Sequence, residues 1–165
     1  MKISYRKAKV SELKVAFSFL KNAALTLKNK GLSQWDYWLD PPQHKIDWIK
    51  DGFHKNEFYF IQYESDVVGM FRLLEKDEVY WRGNTDLAQY IHSFVINENW
   101  KGLSIGEKVL KEVIENSRRN GYAFFRLDCN ASNLNLCKYY ERIGFQKVGE
   151  VNMFHSLNNL YQINF

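Results

Sequence analysis

The sequence is short of several things, and each shortage removes a class of protein. Only two cysteines occur in 165 residues, Cys129 and Cys137, eight positions apart and outside any Cys-x-x-Cys or paired-histidine pattern. That excludes a disulfide framework and a zinc-type site, so no metal is expected and both thiols should be reduced and buried. Two prolines, 45% hydrophobic and 25% charged residues make a globular composition, without the bias that marks disorder. No run of 18 apolar residues occurs, and the opening MKISYRKAKV has no apolar signal core. The expectation is a cytoplasmic chain with no membrane partner. A concentrated basic patch is lacking too: net charge is +4, yet the densest pair, Arg118-Arg119, lies near Glu112 and Glu115 on an expected helix. That describes a solvated face, so no nucleic acid is expected, although the positive balance suits an anionic ligand.

What is present suits a single domain over 1–165. KISYRKA alternates as a short strand, and the next segment places Leu13, Ala16, Phe17, Leu20, Ala24 and Leu27 at helical spacing, closed by Gly31. LSQWDYWLDPPQ is aromatic and turn-rich, with Pro41-Pro42 forbidding helix, and HKIDWIKDGFHK has a short-helix pattern. EFYFIQY and VVGMFRLLE read as a hairpin about Glu64-Ser65-Asp66, AQYIHSFVIN as a third strand, and SIGEKVLKEVIENSRR as a helix stopped by Gly121. YAFFRLDCN, almost continuously apolar, predicts a central strand. A helix follows from Ser132 and Asn133 to Gly144, and QKVGEV and LYQINF close the chain as a strand pair. This order describes an α/β sheet covered by helices, without repeat or linker.

NENWKGLSIGEKVL, residues 97–110, sets a polar turn with two glycines between a strand and a helix. A P-loop needs four residues between its glycines and then Lys-Ser/Thr. Here three residues separate Gly102 from Gly106 and Glu107-Lys108-Val109 follows, so a nucleotide-triphosphate site fails. The dinucleotide fingerprint fails as well, for want of a third glycine. The physics common to both motifs remains: converging amides and a helix dipole form an anion site, with Lys101 a positive charge at its mouth. From periodicity alone, an ordinary turn that binds nothing is equally open.

SFVINENWKGLSIGEKVL resembles motif A of the Gcn5-related N-acetyltransferases (GNAT), a strand ending in Val, then Arg/Gln-x-x-Gly-x-Gly/Ala and a helix; RLDCNASNLNLCKYYERIGF resembles their motif B. The two stand in the family's order and separation and cover about residues 88–150. The resemblance implies a mixed, mostly antiparallel central sheet, splayed open near the cofactor strand and flanked by helices on both faces. It implies acetyl-CoA as cosubstrate. Amides of Lys101, Gly102, Leu103, Ser104, Ile105 and Gly106 would cradle its pyrophosphate, and the backbone of Phe94 and Val95 would pair with its pantetheine arm. Asn133 falls on a cofactor-bonding asparagine and reads equally as a helix cap. Two positions depart from the pattern: Lys101 stands for Arg or Gln, and Ser104 for the first motif glycine, where serine takes positive φ less freely.

Acetyl transfer to an amine needs a neutral amine, a polarised carbonyl and a proton for the departing thiolate. By resemblance Tyr140, in YYERIGF, is the general acid, since a phenol with pKa about 10 keeps its proton at neutral pH. The base stays open among Asp128, which aligns with a glutamate of some ribosomal-protein N-terminal acetyltransferases, His92, which titrates near neutrality, and water. Direct attack in a ternary complex is expected, because neither cysteine has a neighbouring histidine in sequence. Trp35, Asp36 and Tyr37 offer aromatic faces and a carboxylate to an amine, or close the core beneath the long helix. The resemblance extends to bacterial acetyltransferases and implies a small-molecule amine or peptide N-terminus as acceptor, with a homodimer open through sheet-edge pairing. A non-catalytic acyl-CoA sensor of the same fold is the alternative, and a nucleic-acid or ribosome-binding module a third reading.

Overall fold

The computed structural model describes residues 2–154 and 156–165. Its strands are β1 (Ile3–Lys7), β2 (Phe58–Tyr63), β3 (Asp66–Leu74), β4 (Ala88–Ile96), β5 (Phe124–Asn130), β6 (Gln146–Met153) and β7 (Ser156–Asn164). Four α-helices join them: α1 (Leu13–Asn29), α2 (Gln43–His54), α3 (Ile105–Arg119) and α4 (Leu134–Ile143). The strands form one open sheet in the order β1-β2-β3-β4-β5-β7-β6. It is mostly antiparallel, with β4 parallel to β5. Each strand and helix expected from periodicity is present, and β5 is interior.

The chain divides into two compact units, Met1–Arg72 with Ser93–Val109, and Leu73–His92 with Leu110–Phe165. In the first, the helical spacing of α1 buries Ala16, Phe19, Leu20 and Ala24 in a core with Ile49 and Phe53 of α2 and Phe58, Phe60 and Met70 of the hairpin. Arg72 is buried in this unit, with its guanidinium bonded to Glu57 and to the Trp48 carbonyl and lying 4.0 Å over the Trp48 ring. A buried charge persists only when partnered so completely.

In the second unit β5, β7 and β6 pair antiparallel, and α4 ends in a left-handed cap at Gly144 (φ +116°), where Phe145 donates its amide back to the Tyr140 carbonyl. Segment 76–87 shows neither period. Side chains organise it: Asp77 Oδ1 accepts from the amides of Val79 and Tyr80, and Asn84 Oδ1 from that of Asp86. Buried Arg126 of β5 ties this segment down through Asn84, Asp86 and Tyr90, flanked by Trp81 and Phe124.

The β4–β5 register runs from Ala88↔Phe124 to Tyr90↔Arg126 and, among the described residues, no further. Three residues on, Ser93 takes φ +50°, a left-handed kink within a strand. Beyond the kink the Val95 carbonyl lies against Gly69 of β3, so closely that an added methyl would overlap it and press on Ile96 and Ile61. Gly69→Ala should therefore destabilise the chain by about 1–3 kcal/mol, the usual cost of overpacking. Thermal unfolding should show a melting point several degrees lower.

Candidate active site

In the first unit the chain leaves β4 through Asn97, whose side chain accepts the Asn99 amide and starts a 3-10 turn at Glu98–Trp100. Trp100 lies on Tyr63 at 5.1 Å between ring centroids, which fixes the entry to the turn at 101–106. Gly102 then takes φ +82° and Ser104 φ +56°. Serine thus adopts the left-handed conformation that the sequence made unfavourable, at the position where the acetyltransferase pattern carries glycine. α3 begins immediately, with Ile105 buried and the Ser104 carbonyl accepting from Lys108. The first-turn amides of a helix have no intrahelical acceptor, and here they lie beside the exposed residues 101–104. Lys101 is less available than its position suggested. It pairs with Glu98, which also meets Lys30 at 3.4 Å, and the Lys101 hydrogen bond holds the Glu98 carboxyl below its ordinary range. Phe94 packs edge-on to Phe71, and Val95 is buried.

Trp35 and Tyr37 pack against this unit's core. Lys45 places its ammonium 4.6 Å over the Tyr37 ring, so that ring already accepts a cation from the protein itself. Asp36 Oδ1 is buried with no hydrogen-bond partner among the described residues.

In the second unit the two base candidates come together. His92 Nε2 lies 3.0 Å from Asp77 Oδ2, and Nδ1 lies 3.6 Å from Asp128 Oδ1. Asn158 donates to Asp128 Oδ2 at 2.7 Å, and Tyr80 covers the imidazole at 5.7 Å between centroids. Burial pushes the Asp77 carboxyl up, but the His92 hydrogen bond and charge and the Tyr80 and Val79 amides outweigh it, leaving Asp77 below its usual range. Ligand atoms of Asp77, His92 and Asp128 lie within 4.8 Å of one another. The two carboxylates face different ring nitrogens, so the polar contacts form a strap across the imidazole.

Asn133 caps α4, its side chain accepting from the Leu136 amide. Tyr140 is buried against Tyr139, Phe145 and Tyr161. Burial first, then the fields of Cys129, Tyr139 and Asp128, push its phenol well above its ordinary value. Cys129 and Cys137 are free and buried, 3.6 Å apart, with burial raising the Cys129 thiol. The residue that sequence reasoning missed is Asp77. Its one local signal, an aspartate before amides it can accept from, is shared by many loop aspartates.

The acetyltransferase (GNAT) family matches residues 27–145. A GNAT acetyltransferase from Listeria monocytogenes is similar in structure, with TM-score 0.80, 23% identity, and 99% of this chain and 95% of that one covered. The aminoglycoside acetyltransferase AAC(6')-Ib in complex with coenzyme A and kanamycin gives TM-score 0.75 at 15% identity, covering 99% and 95%. The PaiA N-acetyltransferase of Thermoplasma acidophilum in complex with coenzyme A gives 0.64 at 16%, covering 100% of both. No curated protein matches the sequence significantly.

The left-handed serine makes its own prediction. Ser104→Gly should relieve the Cβ clash and raise stability by up to about 1 kcal/mol after the entropy of glycine is subtracted. Denaturant unfolding should show a higher midpoint with an unchanged slope.

Proposed function

The chain belongs to the acetyltransferase (GNAT) family, and from that premise we propose that it acts as one N-acetyltransferase domain, moving the acetyl group of acetyl-CoA to a primary amine by direct attack. The observation that carries this reading is the turn at 101–106. Two left-handed residues, Gly102 and Ser104, deliver the chain into α3 with its first-turn amides beside an exposed loop, an arrangement suited to a pyrophosphate. Lys101, Leu103, Ile105 and Gly106 complete that cradle, the backbone of Phe94 and Val95 pairs with the pantetheine arm, and Asn133 adds a polar contact to its cap role. No metal takes part.

The chemistry follows from the protonation states. Tyr140, its phenol pushed upward by burial, stays protonated at neutral pH and gives its proton to the departing thiolate. His92 with Asp128 takes the proton of the attacking ammonium. The acceptor is a small-molecule amine or a peptide N-terminus, met by Asp36 and by the aromatic face of Trp35, the Tyr37 ring being taken by Lys45. The unpartnered Asp36 Oδ1 supports this, since a buried carboxylate oxygen without a donor costs free energy that an ammonium would recover.

Two measurements test the reading. Thermal unfolding with acetyl-CoA, coenzyme A and ATP should show a rise of roughly 5–10 °C for the first two at about a hundredfold excess over Kd, and none for ATP. Absence of that rise at millimolar acetyl-CoA would remove the cofactor reading. Transfer is then read as thiol release with kanamycin, spermidine and a peptide bearing a free N-terminus. With an acceptor found, Tyr140→Phe should lower kcat by about 10²-fold or more with KM little changed. Cofactor binding with no turnover on any amine would instead favour an acyl-CoA sensor.

A further inference from the structure

A fixed negative charge stands at the mouth of the turn proposed to hold an anion. Glu98 opens the 3-10 turn that leads into residues 101–106, and a cation meets each of its oxygens. Lys101 Nζ pairs with Oε2, and Lys30 Nζ, just past the end of α1, lies 3.4 Å from Oε1. The backbone beneath these groups is held, by the Asn97 cap on one side and by Trp100 on Tyr63 on the other. The side chains are not held in the same way. All three are about half-exposed, and ion pairs of that exposure are weak and screened by salt.

Lysine is a point charge on a flexible four-carbon stem, so it can change partners without moving the backbone. A phosphate at the first-turn amides of α3 offers Lys101 such a partner. A lysine that stayed on Glu98 would bring the carboxylate's negative charge toward the phosphate and cancel its own benefit. A lysine that leaves gives the phosphate a full positive charge, and Glu98 keeps a counterion because Lys30 is already on its other oxygen. We propose that Glu98 sets the affinity of this chain for its cofactor by holding Lys101 in the unliganded state: on binding, Lys101 passes from Glu98 to a pyrophosphate oxygen while Lys30 keeps the carboxylate. This rests on the acetyltransferase reading and makes Glu98 a positioning residue that acts through Lys101. No covalent bond changes in the exchange, and the attraction of the phosphate is partly offset by the pair it must open.

The test is calorimetric titration of the full chain with coenzyme A. Glu98→Gln keeps the length of the side chain and removes its hold, and should bind coenzyme A about threefold or more tightly, the scale of one exposed ion pair. Lys101→Gln should cost more affinity in the Glu98→Gln background than in the wild type, because only there is the lysine unpaired before binding. Lys30→Gln should weaken binding while Glu98 is present and change little once it is gone. Rising salt should weaken coenzyme A more steeply in Glu98→Gln, since in the wild type salt also loosens the competing pair. Loss of any negative charge favours an anion in general, so the control is Glu150→Gln on β6. Glu150 pairs with Lys147 at the same spacing and similar exposure, and its loss changes the net charge equally; its Kd should stay within about twofold of the wild type. Equal or weaker binding in Glu98→Gln, the same gain in Glu150→Gln, or the same loss from Lys101→Gln in both backgrounds overturns the proposal while wild-type binding stands. Absence of coenzyme A binding in the wild type and in Glu98→Gln alike would strike the acetyltransferase reading itself, and the proposal with it.

Discussion

β4 keeps its parallel ladder with β5 only as far as Tyr90, and three residues later Ser93 stands at φ +50°. A non-glycine residue there crowds its Cβ against the neighbouring carbonyl, at a cost of about 1–2 kcal/mol, and persists only where its surroundings hold it. Both flanks are held. Before the kink, His92 is tied to Asp77; after it, the Val95 carbonyl is seated on the bare Cα of Gly69. The two residues assigned to the pantetheine arm, Phe94 and Val95, follow the kink directly. Much of the chemistry proposed for this chain depends on that one interruption of a hydrogen-bond ladder.

A second strained serine shapes the turn at 101–106. Ser104 and Gly102 bend the chain the same way within three residues, and Ile105 and Val109 then anchor α3 in the core. Nearby electrostatics are tempered, because Lys101 and Lys30 share Glu98. The anion site proposed there therefore leans on backbone amides and the helix dipole more than on a free cation.

The buried polar groups divide by what they can still do. Arg72 and Arg126 are each surrounded by acceptors and aromatic faces, and a guanidinium does not lose its proton, so they fasten segments together. The His92 strap differs because an imidazole, unlike a guanidinium, has two protonation states near neutrality, and here a carboxylate faces each ring nitrogen. Tyr140 feels the field of Asp128, so the proposed proton donor and one candidate for the base are electrostatically linked within one unit.

The sequence by itself determined every strand and helix, the order of the two motifs, the turn at 101–106 and the candidacy of His92, Asp128, Asn133 and Tyr140. The elements and the turn depend on periodicity, capping and spacing within a few residues of one another, where local sterics act, whereas the motifs and the roles of Asp128, Asn133 and Tyr140 were implied by resemblance to the family. It could not show Asp77 beside His92, fifteen residues away through a segment of no period, nor Lys101 neutralised by Glu98, nor Lys45 over Tyr37. Nor could it show that Ser104 would accept a glycine's backbone angles. Those are decided by tertiary structure, because contact between segments follows from strand order and packing, and a strained φ survives only when the rest of the fold holds it in place.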